Sequence, residues 1–174
     1  MWIKYETTYD AFHKDADRMY CLVNNEGAWT ISNQCCDSVV KYCHEVEAVT
    51  AFTNRYYWDL RQNDSLLANI VCTYCDSSFL EMFNIRILAG TDGFLHNNRE
   101  MAINRLTAAR LWPGKDPLGQ EFTLDGGTEG SIVPYTVTAV VDGWDEHSCL
   151  HFDLLRNNTS KKNHNPFKGY DIPY

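Results

Sequence analysis

The sequence predicts an α+β fold in which short helices pack on mixed sheets built from split β-α-β units. Two observations support this prediction. A strand, a helix and a strand follow one another from Ala48 to Leu88, and the same order returns from Arg99 to Val141. Both blocks combine strand-type alternation with short helical periods. The 174 residues suffice for one domain or for two small lobes, and the sequence leaves that choice open.

The N-terminal part is predicted to begin with a helix and a strand. From Tyr5 to Met19 apolar residues recur at helical spacing, and Arg18 to Asn24 has the pattern of a first strand. His13 stands beside Lys14 and Asp15. A histidine among charged neighbours is more often solvated than catalytic, so we expect it on the surface with no chemical role.

A second helix is predicted between Ser32 and His44. Ser32 or Asn33 can cap its first turn, because both side chains accept backbone hydrogen bonds. Its apolar residues recur at the spacing of one helical face, so we expect that face to be buried and its cysteines to be free thiols in the core. The stripe consists of Cys36, Val39, Val40 and Cys43.

The first strand–helix–strand block starts with a strand from Ala48 to Asn54. A polar turn separates it from an alternating strand, Leu66 to Tyr74. Asp76 or Ser77 caps the short helix that follows. Asn84 to Gly90 then returns as a strand. The helix residues predicted to face the core are Phe79, Met82 and Phe83.

The second block is a strand, a helix and two further strands. Glu100 to Ile103 forms the strand, Asn104 caps the helix, and Trp112-Pro113-Gly114 ends it because proline cannot continue a helix. Gln120 to Asp125 and Val133 to Val141 follow as alternating strands. In the last strand strict alternation places Tyr135, Val137, Ala139 and Val141 on one face.

The predicted core draws on both blocks. Phe122 and Leu124 share one face of their strand. A chain of this length buries roughly 70% of its unfolded surface, so the core needs neither a metal nor a disulfide. The residues expected to be mostly buried are Phe79, Phe83, Leu111, Val137 and Ala139, with Tyr135 partly buried.

Composition and motifs exclude several classes of protein. The net charge of −8 and the pI near 5.1 argue against a nucleic-acid partner. No apolar run has the length of a membrane span. The sequence contains neither the G-x-x-x-x-G-K-[ST] motif of ATP-binding loops nor the G-x-S-x-G and H-E-x-x-H motifs of hydrolases.

Two stretches contain side chains that could act as catalytic groups or metal ligands. Cys72 and Cys75 have the C-x-x-C spacing of redox motifs and zinc knuckles, in a chain with seven cysteines. A small thiol-redox or zinc-binding protein therefore remains an alternative, although zinc needs two further ligands. The second stretch, Asp142 to Asp153, gathers carboxylates and histidines of the kind that bind metals or transfer protons. The residues available as further zinc ligands are Cys35, Cys36, His147, Cys149 and His151.

Several segments resemble one protein family in order and spacing. Residues 108–120, AARLWPGKDPLGQ, are similar to the A-x-x-L-F-G-x-x-D-P-L-G-K segment of MacB-like periplasmic core domains. Residues 135–141, YTVTAVV, resemble the Y-T-V-T-G-V-V strand of that family, and residues 9–20 resemble its Y-D-x-F-H-x-x-A-D-R-I-Y segment. Residues 76–90 resemble its D-S-S-F-F-x-x-F-x-F-P-L-L-x-G segment. The resemblance extends over residues 9 to 154.

These domains are the extracytoplasmic parts of ABC transporter permeases of the MacB, FtsX and LolC type. The resemblance implies a porter-like lobe with a second, smaller lobe inserted. It implies that residues 1–174 are one extracytoplasmic domain from between two transmembrane helices, at the periplasmic face of the inner membrane. Residues 156–174 are then a loop or a partly ordered tail. Residues 142–153 correspond in the family to a turn and a return strand, which favours a structural role for that stretch.

The implied function is mechanical. The domain relays ATP-driven motion of the transmembrane helices to a periplasmic substrate or partner, and the sequence predicts no catalytic, cofactor-binding or metal-binding residue. The implied partners are the permease's own transmembrane region, a second permease copy and a cytoplasmic ATPase. We expect the isolated chain to be monomeric and to lack ATPase, hydrolase and oxidoreductase activity.

The working surface is expected to lie away from the N-terminal helix, which leads back to the membrane. The candidates are the loop from Gly126 to Val133 and the segment from Arg55 to Ser65. The second segment contains Tyr56, Tyr57 and Trp58. For Trp58, a place in the core or at an interface between lobes is the favoured alternative.

Overall fold

The computed structural model describes residues 10–23, 33–125, 134–144, 148 and 150–158. The loop from Gly126 to Val133 and the tail after residue 158 lie outside these residues. Helices α1, α2 and α3 are Asn33–Tyr42, Ser77–Met82 and Arg105–Leu111, and short 3₁₀ helices lie at Ala16–Arg18 and Asp92–Leu95. The strands are β1 (Thr53–Gln62), β2 (Ser65–Cys75), β3 (Ile87–Gly90), β4 (Glu100–Asn104), β5 (Glu121–Asp125), β6 (Pro134–Val141) and β7 (Leu154–Asn157).

The described strands form one mixed sheet in the order β3-β6-β4-β7-β2-β1-β5. β4 runs parallel to β6 and β2 runs parallel to β7, while the other pairs are antiparallel. β5 also pairs with the start of β6, so that β6, β4, β7, β2, β1 and β5 close into a ring. β3 pairs with the end of β6 outside this ring. The α+β class with a mixed sheet is thus confirmed, and both strand–helix–strand blocks contribute to the same sheet.

A β-bulge in β6 changes which side chains face the core. Met101 pairs with Val137, but the next residue, Ala102, pairs with Ala139, so Thr138 is an extra residue. A bulge reverses the alternation beyond it. The prediction that one face carries every second residue from Tyr135 to Val141 is therefore wrong after Val137.

Gly90 makes room for this bulge. Its φ is +85°, and a Cβ at this position would lie 2.0 Å from the carbonyl oxygen of Thr138. The same carbonyl accepts a hydrogen bond of 3.1 Å from the backbone N–H of Thr91. Only glycine combines this backbone conformation with so close an approach.

The two faces of the sheet carry two hydrophobic clusters. The first, here called the ring cluster, draws on all six strands of the ring and on α3, as the interior of a closed ring requires. The second, the aromatic cluster, lies between the other face, α2 and the 3₁₀ helix at Asp92–Leu95. The ring cluster contains Leu60, Ile70, Cys72, Met101, Ile103, Ala108, Trp112, Phe122, Leu124, Val137, Val140 and Leu154. The aromatic cluster contains Cys75, Phe79, Ile85, Phe94, Ala102, Ala139, Val141, Phe152 and Leu155.

Most of the predicted core is confirmed. Phe79, Val137 and Ala139 are buried, and Tyr135 is half-buried as expected. Phe83 and Leu111, expected to be mostly buried, are only half-buried. Both stand at the C-terminal end of a short helix, where the chain turns away from the sheet, and each packs on a cluster from its edge.

The caps and helix ends of both blocks agree with the sequence. The side chain of Asp76 accepts a hydrogen bond from Phe79 N–H at 3.0 Å, and that of Asn104 accepts one from Leu106 N–H at 2.9 Å. α3 ends at Leu111, directly before Trp112-Pro113-Gly114. β1 begins at Thr53, later than the predicted Ala48, because residues 48–52 pair with no described strand.

Residues 5–9 and 24 lie outside the described residues, and within residues 10–23 and 33–44 the predictions are wrong in three places. Residues 10–15 form turns that lead into the 3₁₀ helix at Ala16–Arg18, and residues 19–23 belong to no strand. α1 agrees with its predicted range, but its apolar stripe is not in the core: Val40 is 57% exposed and Cys43 is exposed. Cys36 is only half-buried. Neither hydrophobic cluster includes a described residue of α1, so among the described residues no cluster covers the apolar face that the sequence predicted to be buried.

The aromatic cluster should dominate stability around α2. Phe79 is 1% exposed, and its ring centroid lies 5.0 Å from that of Phe52 and 4.8 Å from that of Phe83. We expect Phe79→Ala to lower the free energy of unfolding by roughly 3–5 kcal/mol, measured by urea denaturation. Leu88→Ala on the exposed strand β3 is the control and should change it by about 0.5 kcal/mol or less. A loss below about 1 kcal/mol for Phe79→Ala would contradict the packing of α2.

Candidate functional site

The N-terminal segment is held against the domain by a buried histidine. The side chain of His13 is 2% exposed. Its ring meets that of Phe83 edge-on at a centroid distance of 5.2 Å and that of Trp144 at 5.1 Å, and Phe12 stacks on it at 4.3 Å. The expectation of a solvated His13 is therefore wrong. The ring fills a socket formed by the end of α2 and the segment after β6.

A second contact joins the same two parts of the chain. The hydroxyl of Ser148 donates a hydrogen bond of 2.5 Å to the carboxylate of Asp10. The backbone N–H of His13 donates to the carbonyl oxygen of Asp10 at 3.2 Å, which closes a turn. Asp10 itself has φ +57°, a left-handed conformation that is unfavourable for a residue with a Cβ. The contacts around the turn hold it in this conformation, and Asp10, His13, Ser148, Phe83 and Trp144 are here called the anchor.

The electrostatics of the anchor favour a neutral imidazole. Burial lowers the pKa of His13 below its usual value of 6.5, although the charge of Asp10 and a hydrogen bond to the Phe83 backbone act in the opposite direction. Nε2 of His13 lies 3.7 Å from Oδ1 of Asp10 and has no hydrogen-bond partner. The ring is thus a packing element with one unused polar atom.

The two thiols of the C-x-x-C motif are buried apart from each other in this fold. Cys72 belongs to the ring cluster and Cys75 to the aromatic cluster, so the two thiols lie on opposite faces of the sheet. Three residues of strand span roughly 10 Å, which is beyond the reach of a disulfide. Burial raises the pKa of Cys72 to about 12 and raises that of Cys75 as well. Thiolates are the nucleophiles and metal ligands, so the described geometry gives no support to a redox or zinc function.

The stretch from Asp142 to Asp153 is structural where it is described. The carboxylate of Asp142 accepts a hydrogen bond of 2.7 Å from Arg86 and lies 3.4 Å from Arg105. The hydrogen bond from Arg86 lowers the pKa of Asp142. No group of three metal-ligating side chains occurs within the described residues. The remaining candidates in this stretch, Asp145, Glu146, His147 and Cys149, lie outside the described residues.

Asp153 lies directly before β7 and connects that strand with β2, β4 and α3. Its carboxylate accepts a hydrogen bond of 2.8 Å from Val71 N–H in β2 and one of 2.5 Å from the hydroxyl of Thr107 in α3. Arg110 lies 3.3 Å away. The backbone of Asp153 bonds to Val71 in β2 and to Asn104 in β4. These bonds satisfy a carboxylate that is only 6% exposed, which gives Asp153 a structural role in the sheet.

The proposed working surface is a β-hairpin. The segment from Arg55 to Ser65 forms most of β1 and the turn to β2, at Asn63 and Asp64, both of which have positive φ. Tyr57 is 64% exposed. Trp58 packs against the ring cluster, which agrees with the favoured alternative that this residue belongs to the core. The side chain of Tyr56 lies outside the described part of the chain. Leu66 and Leu67 at the start of β2 are also exposed.

Sequence reasoning missed the anchor. The pattern around His13 contains charged neighbours, and its partners Phe83, Trp144 and Ser148 are far away in the chain. The one local signal was the aromatic residue Phe12 beside the histidine. In contrast, the opposed faces of Cys72 and Cys75 could have been found from the parity of their positions in a continuous strand.

Residues 7–153 match the family model described as MacB-like periplasmic core domain. The match covers most of the chain, and the chain therefore belongs to this family. Its members form the periplasmic or extracellular regions of ABC transporter permeases. No protein of curated function matches the sequence. Within the described residues, no helix has the length and apolar character needed to cross a membrane.

Three solved structures share the fold. A domain of a protein described as a permease, from Porphyromonas gingivalis, is 22% identical with a TM-score of 0.61, covering 71% of this chain and 51% of that one. The extracellular domain of the noncanonic ABC-type transporter YknZ from Gram-positive bacteria is 16% identical with a TM-score of 0.58, covering 79% and 70%. The periplasmic region of MacB from Actinobacillus actinomycetemcomitans is 13% identical with a TM-score of 0.55, covering 76% and 59%. The chain thus spans between 51% and 70% of the length of these solved chains.

The role of Asp153 leads to a prediction. We expect Asp153→Asn to lower the free energy of unfolding by roughly 1.5–3 kcal/mol in a denaturant titration, because an amide cannot accept all the bonds that the buried carboxylate accepts. The control is Asp142→Asn, which alters an ion pair open to solvent and should cost about 1 kcal/mol or less. Equal losses in the two variants would show that the Asp153 contacts do not bear on stability.

The accessibility of the thiols can be measured by their rate of reaction with a disulfide reagent that releases a coloured product. In the native protein Cys21 and Cys43, both exposed, should react rapidly, so Cys21→Ser/Cys43→Ser should remove two thiols from the fast phase. Cys72→Ala/Cys75→Ala should leave the fast phase unchanged, because these thiols are buried and protonated. Adding a chelator should not unfold the protein. Rapid reaction of Cys72 or Cys75, or bound zinc at stoichiometric level, would restore the redox or zinc alternative.

Proposed function

We propose that this domain is a non-catalytic relay, which carries ATP-driven motion of permease transmembrane helices to a substrate or partner outside the membrane. The anchor is the observation that carries this proposal. Residues 10–18 are fixed to the sheet by the ring of His13 and by the bond between Ser148 and Asp10. A displacement of the chain before Asp10 would therefore move the aromatic cluster and not be absorbed by a loose segment.

The closed ring of strands supports the same role. A relay has to move as one body, and a ring transmits force through hydrogen-bonded neighbours on both sides of each strand. Asp153 adds bonds that join β7, β2, β4 and α3. The socket for His13 is built on this body, because Trp144 follows β6 and contacts the ring of Phe152, which precedes β7.

The partners follow from the proposed role. The anchored segment would connect to the permease's transmembrane region, and a cytoplasmic ATPase would supply the motion indirectly. A second permease copy would complete the transporter. The exposed hairpin side chains Tyr57, Leu66 and Leu67 form the candidate contact surface for a periplasmic substrate or partner protein. Apolar groups exposed together on one hairpin are typical of contact surfaces.

A flexible insertion tests the relay. In the complete permease, a short Gly-Ser linker placed between Tyr9 and Asp10 should disconnect the domain from the first transmembrane helix while leaving the anchor folded. We expect ATP-dependent movement of the domain to be lost and ATP hydrolysis to continue. The movement would be measured in nanodiscs as a distance change between a label on the β1–β2 hairpin and a label in the membrane region.

The same linker placed between Asn63 and Asp64 is the matched control. This position is an exposed hairpin turn outside the path from membrane to sheet, so the movement should persist. The relay would be rejected if the variant with the linker before Asp10 moved and transported as well as the control variant. A reproducible catalytic turnover by the isolated domain would reject the non-catalytic part of the proposal.

A further inference from the structure

We propose that the anchor is a pH-sensitive latch, in which protonation of His13 releases residues 10–18 from the sheet. The proposal rests on the geometry of the socket and concerns docking within this chain alone. It goes beyond the relay function and does not depend on it.

The socket suits a neutral ring and offers little to a charged one. The rings of Phe83 and Trp144 stand nearly perpendicular to that of His13, with interplanar angles of 73° and 86°. Nε2 has no hydrogen-bond partner although the side chain is almost fully buried. An added proton on Nε2 would therefore place a charge in an aromatic environment without an acceptor in bonding range.

The charged groups around the socket do not compensate for this cost. Asp10 is the acidic group near the ring, and its carboxylate is engaged by Ser148 at 2.5 Å while lying 3.7 Å from Nε2. On α2, Glu81 is exposed. In the segment that carries Trp144, Asp142 is held by two arginines. Burial lowers the pKa of His13, and this effect outweighs the opposite effects of the Asp10 charge and of the hydrogen bond to the Phe83 backbone. Neither Glu81 nor Asp142 shifts this pKa noticeably.

The direction of the effect follows from linkage. The docked state binds the proton more weakly than the undocked state, whose histidine titrates near 6.5. Docking is therefore strongest above pH 6.5 and weakens as the pH falls from 6.5 to the lower pKa of the docked ring. Each unit between the two pKa values corresponds to a roughly tenfold change in the docking constant. The left-handed turn at Asp10 would relax on release, which adds to the tendency to undock.

NMR spectroscopy of the isotope-labelled chain tests the latch. The ring signals of His13 report its pKa, while the amide signals of Phe12 and Ala16 and the indole signal of Trp144 report docking, between pH 7.5 and pH 5. We expect the pKa of His13 to lie below its usual value of 6.5, and the docking signals to change with the same midpoint as the His13 ring. Asp10→Asn should move that midpoint to lower pH, because it removes the charge that favours the protonated ring.

His13→Phe supplies the decisive variant, since it fills the socket with a ring that cannot be protonated. Its segment should stay docked at pH 5, whereas the control His96→Gln should release like the unmodified chain. If His13→Phe does not fold, the unmodified chain still decides through the midpoints. A pKa of His13 at or above 6.5, docking signals that stay constant through protonation of His13, or release of His13→Phe at the original midpoint would each overturn the latch.

Discussion

The carboxylate of Asp153 is the contact on which the arrangement of this fold depends. β7 lies between β4 and β2, and it runs antiparallel to β4 and parallel to β2. Asp153, directly before β7, exchanges backbone and side-chain hydrogen bonds with Val71 in β2 and accepts from Asn104 in β4 and Thr107 in α3. Asn104 in turn caps α3 and donates to Phe152. A short strand from the end of the chain is thereby fixed in the centre of the sheet.

The position of β7 also determines the socket for the N-terminal segment. Phe152 is buried beside Asp153 and meets Trp144 edge-on at 5.2 Å, and Trp144 forms one wall around His13. Gly143 permits this path, because a Cβ there would lie 2.2 Å from the side-chain nitrogen of Asn104. The hydrogen bonds that hold the sheet together and the aromatic contacts that hold residues 10–18 are therefore one continuous set of contacts.

The described polar groups of this member of the MacB-like periplasmic core domain family are mostly engaged in structural contacts. The buried carboxylate is saturated by donors, the half-exposed Asp142 is paired with arginines, and the two cysteines of the C-x-x-C motif are protonated and separated by the sheet. Among the described groups, the Nε2 atom of His13 stands out as buried, titratable and without a partner. This atom lies in the N-terminal segment that packs against Phe83 and Trp144.

The sequence by itself determined the α+β class, the family and the elements with strong local signals. The strand around Cys72, the caps at Asp76 and Asn104, and the end of α3 before Pro113 agree with the structure, because alternation, side-chain capping and proline geometry act between residues close in the chain. Tertiary structure alone decided the bulge at Thr138, the exposure of Val40 and Cys43 on α1 and the burial of His13. Each of these depends on partners distant in sequence: β4 opposite the bulge, a covering surface that neither cluster supplies, and the rings of Phe83 and Trp144. Local periodicity shows that a residue can be buried, but only the packed sheet determines what lies against it.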